Sequence, residues 1–482
     1  MIHLIPTPKS CTVVSEELHT LPVSIQCTVA EWDDVTDAFC ESFSKIFETS
    51  IKRAKSAGIS LMLDETLETD AYRLDSTAKK LVLRASTRKG ISYALATTLQ
   101  LLSYKNGQLS IPSLKIEDRP DKEYRAFMLD GVSAFHPLSK VLKYVDLCFF
   151  YKVDHLHLHF ADNAAYAYPS KAFPKLPTPK KHYTYEEIAE LNRYADARGI
   201  KLVPEFEAPG HANALNTAYP EIFANKTDGE ERKFYSELGD LLSPESLICV
   251  GSDRAVEGVK TLLAEICELF PNAPYIHIGG DEATHQIWEG CPDCVAYMKE
   301  HGIRDSYELY SEYVGRLASY LLSIGRTPMV WEGFPKESSH HVPKETVVIA
   351  WESHYQTAPD LLKNGFKIVN ASWQPTYFVP SLVHRWGPVD LLNWNVYNWQ
   401  HWWKESVAYL NPIHVQPTDD VLGASLCSWG LGYEQLITRL LENMPAFSER
   451  TWNVERKADF DTYHLTYKSL VHKSAMLIRD HT

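Results

Sequence analysis

The sequence predicts an α/β protein in which a closed (β/α)8 TIM barrel follows a small α+β N-terminal domain. The chain has 482 residues, which is too long for one ordinary domain. From about residue 121 onward, short apolar runs alternate with segments of helical periodicity. Several runs end in a polar or aromatic residue, and in a barrel the carboxyl ends of the strands share one face.

Residues 1–120 are predicted to form the N-terminal domain. Residues 23–29 alternate apolar and polar side chains, which is typical of a half-buried strand. Residues 71–74 and 81–85 predict two further strands, and residues 90–102 have apolar side chains at helical spacing. The polar residues 116–121 predict the end of this domain, which we interpret as a packing domain.

Residues 121–482 are predicted to form the barrel. The eight predicted strands cover residues 125–130, 155–160, 201–205, 275–278, 328–332, 347–351, 367–371 and 422–427. Thr184 and Glu187 form a capping-box pattern at the start of the helix before the third strand, and Gly199 follows that helix. The alternative architecture is a doubly wound open sheet, in which the strand ends would line a crevice instead of a ring.

The bulk composition excludes several classes of protein. The net charge of −14 gives no electrostatic footprint for nucleic acid. The first residues lack the basic and apolar regions of a signal peptide, and no run approaches the roughly 18 apolar residues of a membrane span. We therefore expect a cytoplasmic protein that binds neither nucleic acid nor a membrane.

The cysteine pattern predicts free thiols. Nine cysteines in this length are not a disulfide scaffold. Cys291 and Cys294 form a lone CxxC, and without a second such pair a structural zinc site lacks its other half. We interpret them as two ordinary thiols in a loop, and we predict no metal and no organic cofactor.

Two adjacent carboxylates, Asp281 and Glu282, follow the fourth predicted strand. Gly279 and Gly280 allow a sharp turn or a close approach to a ligand just before them. An Asp-Glu pair is usually part of a solvated surface. At a strand end the two neighbours point in different directions, so they can hold separate roles in one pocket.

The string from His277 to Glu282, His-Ile-Gly-Gly-Asp-Glu, resembles the signature of glycoside hydrolase family 20, the β-N-acetylhexosaminidases. Residues 125–130, 157–162, 209–211 and 449–452 resemble further landmarks of that family in the same order. The resemblance implies an exo-acting enzyme that removes terminal sugars from an oligosaccharide or glycoconjugate. It also implies a retaining mechanism in which the 2-acetamido oxygen of the substrate is the nucleophile.

The resemblance gives each carboxylate a role. Glu282 is the general acid and then the general base, and Asp281 orients and polarises the acetamido group as the oxazolinium ion forms. A glycosidic oxygen needs a proton as its bond breaks, so Glu282 must be protonated. We expect an apolar surround and the Asp281 charge to keep it so, while Asp281 stays ionised.

Seven further residues are candidates for substrate binding. His211 and Asp162 would support the carboxylates, although a lone histidine is more often structural. Trp331, Trp351 and Trp429 end three different strands, and their rings could form the wall of a sugar pocket instead of filling the core. Tyr377 resembles the family tyrosine that binds the acetamido carbonyl; otherwise it is a buried tyrosine with a backbone partner. The candidates are Tyr377, Trp331, Trp351, Trp429, His211, Asp162 and Glu332.

The sequence departs from the family pattern at the residues that would bind the 4- and 6-positions of the sugar. Residues 131–136 contain no arginine, Val379 stands where an acid is common, and Gly430 and Leu431 stand where a glutamate is common. We expect His136, Glu332 or a loop tryptophan to face that end of the sugar. Six tryptophans between residues 373 and 403 could shape the rim or pack against a second subunit. The alternatives are a hydrolase of an unusual sugar and an inactive glycan-binding protein.

Overall fold

The structure, a computed structural model, describes residues 2–226, 234–235, 241–242, 246–381, 385–456 and 459–480. The chain forms an N-terminal mixed sheet with two long helices, followed by a closed barrel of eight parallel strands. The predicted fold class is confirmed.

The N-terminal sheet holds eight strands. They are Ser10–Leu21, Ser24–Cys27, Lys52–Arg53, Ile59–Leu63, Tyr72–Ser76, Leu81–Ala85, Ser103–Lys105 and Gln108–Asp118. The two helices of this domain are Asp33–Phe47 and Arg88–Leu101. The sequence prediction missed the long antiparallel pair formed by the first and last strands, and the polar stretch predicted to end the domain begins inside the last strand.

The second helix of this domain joins the sheet to the barrel. Arg88–Leu101 contacts strands Tyr72–Ser76 and Leu81–Ala85 and also the barrel helix Leu138–Phe150. At the same junction, the buried Asp154 carboxylate lies 3.0 Å from both the Arg125 guanidinium and the Lys89 ammonium. The Arg125 charge comes from the first barrel strand and the Lys89 charge from the N-terminal domain, so the ion pair ties the two parts together.

The eight barrel strands correspond to the eight predicted runs. They are Tyr124–Asp130, His155–His159, Lys201–Glu205, Tyr275–His277, Thr327–Trp331, Val347–Ala350, Lys367–Asn370 and Val421–Ser428. Each pairs in parallel with the next along the chain. The eighth strand pairs with both the seventh and the first, so the sheet is closed and the open-sheet alternative is excluded.

Helices surround the barrel. They are Leu138–Phe150, Tyr185–Asp196, Asn213–Ala218, Pro220–Phe223, Asp253–Leu269, Pro292–His301, Ser306–Ser323, Ala358–Lys363, Trp373–Thr376, Pro388–Asn393, Tyr433–Trp452 and Phe460–Leu477. Short 3₁₀ helices cover Ala30–Trp32, His285–Gly290 and Lys336–His341, and short strand pairs include Ala161–Asp162 with Ala165–Tyr166 and Asn398–Trp399 with Ile413–His414. The capping box of Thr184 and Glu187 is present. Among the described residues, no helix has the length and apolarity of a membrane span.

The turn after the fourth strand requires glycine. Gly279 and Gly280 have φ values of +71° and +92°, in the left-handed region that L side chains rarely adopt. A Cβ on Gly279 would lie 1.9 Å from Glu207 Oε1, so the carboxyl of Glu207 occupies the space that a side chain would need. Glu282, two residues further on, also has a positive φ of 47°. Of the two carboxylates, Glu282 therefore has the strained backbone conformation.

We expect Gly279→Ala to destabilise the chain by about 2–5 kcal/mol, from the left-handed backbone and the overlap with Glu207. Gly302→Ala is the matched control, since Gly302 has a φ of +67° and nothing within 4 Å of its added Cβ. The control should cost only the backbone part, about 1–2 kcal/mol. Urea unfolding of both variants measures the difference, and equal losses would contradict the close contact with Glu207.

Candidate active site

A buried carboxylate, Glu205, lies at the centre of the polar cluster at the end of the barrel. His159 Nδ1 lies 2.8 Å and His157 Nε2 lies 3.0 Å from Glu205 Oε2. On the other oxygen, the Trp331 indole N–H donates to Oε1, and His277 Nδ1 lies 3.1 Å away. Burial alone would raise the pKa of Glu205, but the neighbouring histidines hold it well below its ordinary value.

A chain of hydrogen bonds runs from this cluster to the paired carboxylates. Asp162 contacts His159 Nε2 at 3.2 Å through one oxygen and His211 Nδ1 at 3.1 Å through the other. His211 Nε2 then lies 3.2 Å from Glu282 and 3.8 Å from Asp281. Burial would lower the pKa of His211, but its bonds to Asp162 and Glu282 and the Asp281 charge raise it well above its ordinary value. The surrounding carboxylates therefore favour the imidazolium form of His211.

Asp281 is buried and keeps one oxygen free. Within the described part of the chain, its Oδ1 atom has no hydrogen-bond partner. Burial is the main cause that raises the pKa of Asp281, to about 6, while the His211 charge opposes the rise. An unpartnered buried oxygen costs free energy, so this atom is available to a donor from outside the protein.

Glu207 is a second buried carboxyl beside Asp281. Its Oε1 accepts the Gly280 backbone N–H at 3.1 Å. Burial, and then the charge of Asp281, raise the pKa of Glu207 well above its ordinary value. The His211 ring lies 3.8 Å from Asp281, and its charge favours ionisation of Asp281 over that of Glu207.

The expected apolar surround of Glu282 was wrong. The Glu282 side chain is 48% exposed, whereas that of Asp281 is 11% exposed. The two neighbours leave the left-handed turn in different directions, so only Asp281 enters the buried cluster. Glu282 thus lies on the open side of the site, in contact with His211.

Aromatic rings form a wall beside the carboxylates. Trp331 lies 6.4 Å from Trp351 and 6.2 Å from Trp429, measured between ring centroids. Tyr377 stacks on Trp351 and on Trp373, with interplanar angles of 13° and 20°. The four aromatic candidates from the sequence are therefore brought together, and Trp373 joins them. Trp429 and Trp373 are half-buried, and the other three rings are buried.

Glu332 does not offer its carboxylate to the pocket, contrary to the expectation. It is fully buried, and its oxygens accept five backbone N–H groups of residues 352–356 at 2.9–3.2 Å. These bonds shape the loop after the sixth strand. His136 is also buried, bonded to Leu431 O and Tyr144 Oη, so it does not face the sugar either.

The tryptophan-rich segment divides between core and surface. Trp394 and Trp399 are buried, with exposed fractions of 6% and 1%, so they pack in the core. Trp402 is 37% exposed and lies edge-on to Trp373 at 5.4 Å. This contact makes Trp402 a rim residue of the aromatic wall.

The sequence analysis did not identify Glu205, Glu207 or the histidines around Glu205 as residues of the site. The available signal was the strand from His155 to His159, whose alternate positions are histidines. Alternate side chains of a barrel strand face the interior, where branched apolar residues are usual. Inward histidines therefore indicate a buried acid to bind them. Glu205 ends the neighbouring third strand, directly opposite His159.

Among the described residues, three kinds of cluster have side chains that could hold a metal ion, and one of them is the partly exposed group of Glu308, His340 and His341. The histidine–carboxylate clusters that include Glu205 or Asp281 belong to the network above. In that network, His277 Nδ1 already accepts the Gly279 backbone N–H. The other cluster consists of three buried cysteines.

The comparisons with known proteins agree with this geometry. A family model described as "Glycosyl hydrolase family 20, catalytic domain" matches residues 123–455, and one described as "Glycosyl hydrolase family 20, domain 2" matches residues 1–119. The chain is 32% identical to a beta-hexosaminidase of Akkermansia muciniphila over 68% of this chain and 69% of that protein. It is 33% identical to a beta-hexosaminidase of Vibrio furnissii over 67% of this chain and 55% of that protein.

Among solved structures, the exo-β-N-acetylglucosaminidase of Vibrio harveyi is similar with a TM-score of 0.85 and 22% identity, covering 98% of this chain and 77% of that one. Together with the family matches, the barrel and its paired carboxylates define a glycoside hydrolase of the β-hexosaminidase type. The chain belongs to glycosyl hydrolase family 20.

Asp162→Asn should lower the pKa of His211, because it removes one of the three carboxylates that raise it. NMR titration of the histidine ring protons measures this fall. Asp461→Asn, at an exposed helix position, is the control and should leave the titration unchanged. An unshifted His211 in the Asp162 variant would show that Asp162 does not hold its charge.

Proposed function

We propose that the protein is an exo-β-N-acetylhexosaminidase that removes terminal β-linked N-acetylglucosamine or N-acetylgalactosamine with retention of configuration. The observation that carries this proposal is the contrast between the two neighbouring carboxylates. Asp281 is buried with one oxygen unpartnered, whereas Glu282 is exposed and bonded to His211. One carboxylate can bind a donor of the substrate while the other exchanges a proton with the leaving group.

In the first step, the acetamido oxygen of the substrate attacks the anomeric carbon, and the bond to the leaving oxygen breaks. Glu282 gives its proton to that oxygen, a transfer worth about 10²–10⁴-fold in rate. The acetamido N–H donates to Asp281 Oδ1, whose negative charge stabilises the positive oxazolinium ion. Tyr377 lies on the aromatic wall, where its hydroxyl can bind the acetamido oxygen and align it.

In the second step, water attacks the anomeric carbon of the oxazolinium ion, and Glu282 takes the proton of that water. The acetamido group is released as the neutral amide, and the sugar leaves with its original configuration. His211 supports both steps, because its charge stabilises the Glu282 carboxylate each time the proton is lost. The aromatic rings pack against the sugar face and exclude water from the reacting centre.

Glu282→Gln should lower kcat by about 10²–10⁴-fold for N-acetylhexosaminides with a poor leaving group. A dinitrophenyl glycoside needs little protonation, so its first step should be affected much less. Glu300→Gln, an exposed substitution in helix Pro292–His301, is the control and should retain parent rates. Full activity of Glu282→Gln on a disaccharide would remove Glu282 from the acid role, and no activity of the parent would favour a glycan-binding protein.

The rate should depend on the ionisation of Asp281. Since the pKa of Asp281 is raised to about 6, its carboxylate is present above that pH and is lost by protonation below it. We expect kcat/KM to fall by about tenfold per pH unit below pH 6, because kcat/KM reports groups of the free enzyme. Binding of a thiazoline mimic of the oxazoline, measured by calorimetry, should weaken over the same range. In Asp281→Asn this pH dependence should disappear, whereas a parent midpoint near pH 4 would contradict it.

A second candidate is a hydrolase with unusual recognition of the sugar 4-position. Residues 131–136 carry no arginine, Val379 and Leu431 are apolar, and both Glu332 and His136 are bonded inside the protein. A site discriminates strongly between epimers only where its polar groups bind the hydroxyl in question. The residues at this end therefore support acceptance of both 4-epimers.

We expect aryl N-acetylgalactosaminides to be hydrolysed at least comparably to aryl N-acetylglucosaminides. Measured kcat/KM values for the two substrates test this, with the unsubstituted aryl glucoside as the control for the acetamido requirement. A preference for the gluco epimer beyond about 10²-fold would show that another group reads the 4-hydroxyl.

A further inference from the structure

Three cysteine side chains meet outside the carboxylate cluster. Cys249 lies in the loop before helix Asp253–Leu269, Cys291 is the N-cap of helix Pro292–His301, and Cys294 lies in the first turn of that helix. All three are buried, with exposed fractions of 0–1%. The lone CxxC of the sequence is therefore completed by a third thiol that lies 42 residues before Cys291 in the chain.

The sulfur separations fit a metal better than a disulfide. Cys249 Sγ lies 3.4 Å from Cys291 Sγ and 3.8 Å from Cys294 Sγ, and all three atoms lie within 4.8 Å of one another. A disulfide needs about 2.05 Å. Zinc with Zn–S bonds of about 2.3 Å places neighbouring corners of its tetrahedron about 3.8 Å apart. The three sulfurs thus lie close to three corners of a zinc–thiolate tetrahedron.

The backbone around the thiols is built for close approach. Gly251 lies so near the helix that an added Cβ would be 2.5 Å from the Cys294 Cα atom. Cys291 lies at the helix N-terminus, where the helix dipole favours a thiolate. Lys226 Nζ, 2.6 Å from Asp293, brings a positive charge beside the cluster.

The thiol-bearing segments also support the active site. Ile248 N–H donates to the Pro209 carbonyl, two residues before His211. Trp288, in the 3₁₀ helix between Glu282 and Cys291, donates its indole N–H to the Ile248 carbonyl at 3.0 Å. A metal ion bound by Cys249, Cys291 and Cys294 together would therefore fix the loop of His211 against the loop of Glu282.

We propose that Cys249, Cys291 and Cys294 form a structural zinc site that ties these two active-site loops together. The three thiolates supply three ligands, and a water molecule or another donor completes the tetrahedron. The cation lies outside the carboxylate cluster and takes no part in the chemistry. The site replaces the interpretation of Cys291 and Cys294 as ordinary loop thiols.

Zinc content of the full chain tests this directly. After expression with zinc, reduction and gel filtration, mass-spectrometric metal analysis should find about one zinc ion per chain. Cys249→Ser, Cys291→Ser and Cys294→Ser should each lose most of it. Cys267→Ser, which removes another buried thiol, is the matched control and should keep it. Cobalt loaded in place of zinc should give sulfur-to-metal charge-transfer absorption in the parent and the control only.

If the cysteine variants fail to fold, a measurement on the unaltered chain still tests the proposal. Removing the metal with a chelator should lower the Tm and make three thiols newly reactive towards a thiol reagent, and adding zinc should restore both. A parent that holds no zinc after loading, or whose intact mass is lowered by two hydrogens through a bridge between two of these cysteines, would overturn the proposal. Neither outcome affects the hydrolase proposal, which rests on Asp281 and Glu282.

Discussion

The buried charge of Glu205 is the interaction on which the rest of the site depends. Side chains from three neighbouring barrel strands converge on this one carboxylate, and His159 and Trp331 supply the donors that the barrel interior otherwise lacks. Burying a carboxylate costs several kcal/mol, and each hydrogen bond to a charged group recovers about 1.5–3 kcal/mol. The balance is favourable only when the donors are all in place. Glu205 therefore fixes the positions of His159 and Trp331, and through them Asp162 and the aromatic wall.

The barrel was predictable because its signal is local and repeated. Each strand is a short run of apolar residues, and the closure of eight such runs brings their carboxyl ends together whatever the loops contain. The N-terminal domain was predicted less completely. Strand Ser10–Leu21 is largely exposed and has register shifts in its pairing, so it lacks the regular alternation by which a strand is recognised.

At the active site, the sequence prediction erred more in the environment of the side chains than in which residues belong to the site. The positions of Asp281 and Glu282 follow from the motif, but which of them is buried depends on the left-handed turn between the strand and the loop. Glu332 ends a strand as the other candidates do, yet the following loop folds over it and directs five N–H groups at it. The third thiol of the cysteine cluster was missed for the same reason. The conformations of the loops decide which residues come into contact, and no periodic sequence pattern encodes those conformations.

The repulsion between the Glu207 and Asp281 carboxyl groups gives the site its electrostatic order. Two neighbouring buried carboxyl groups repel each other when both are ionised, so the charge of one disfavours the charge of the other. Glu207 lies against Gly279, whereas Asp281 lies 3.8 Å from His211, whose charge is the main cause that opposes the rise in the Asp281 pKa. The charge therefore settles on Asp281, beside the exposed Glu282. A donor that reaches Oδ1 of Asp281 meets a carboxylate whose charge is held in place by its neighbours and needs no rearrangement to act.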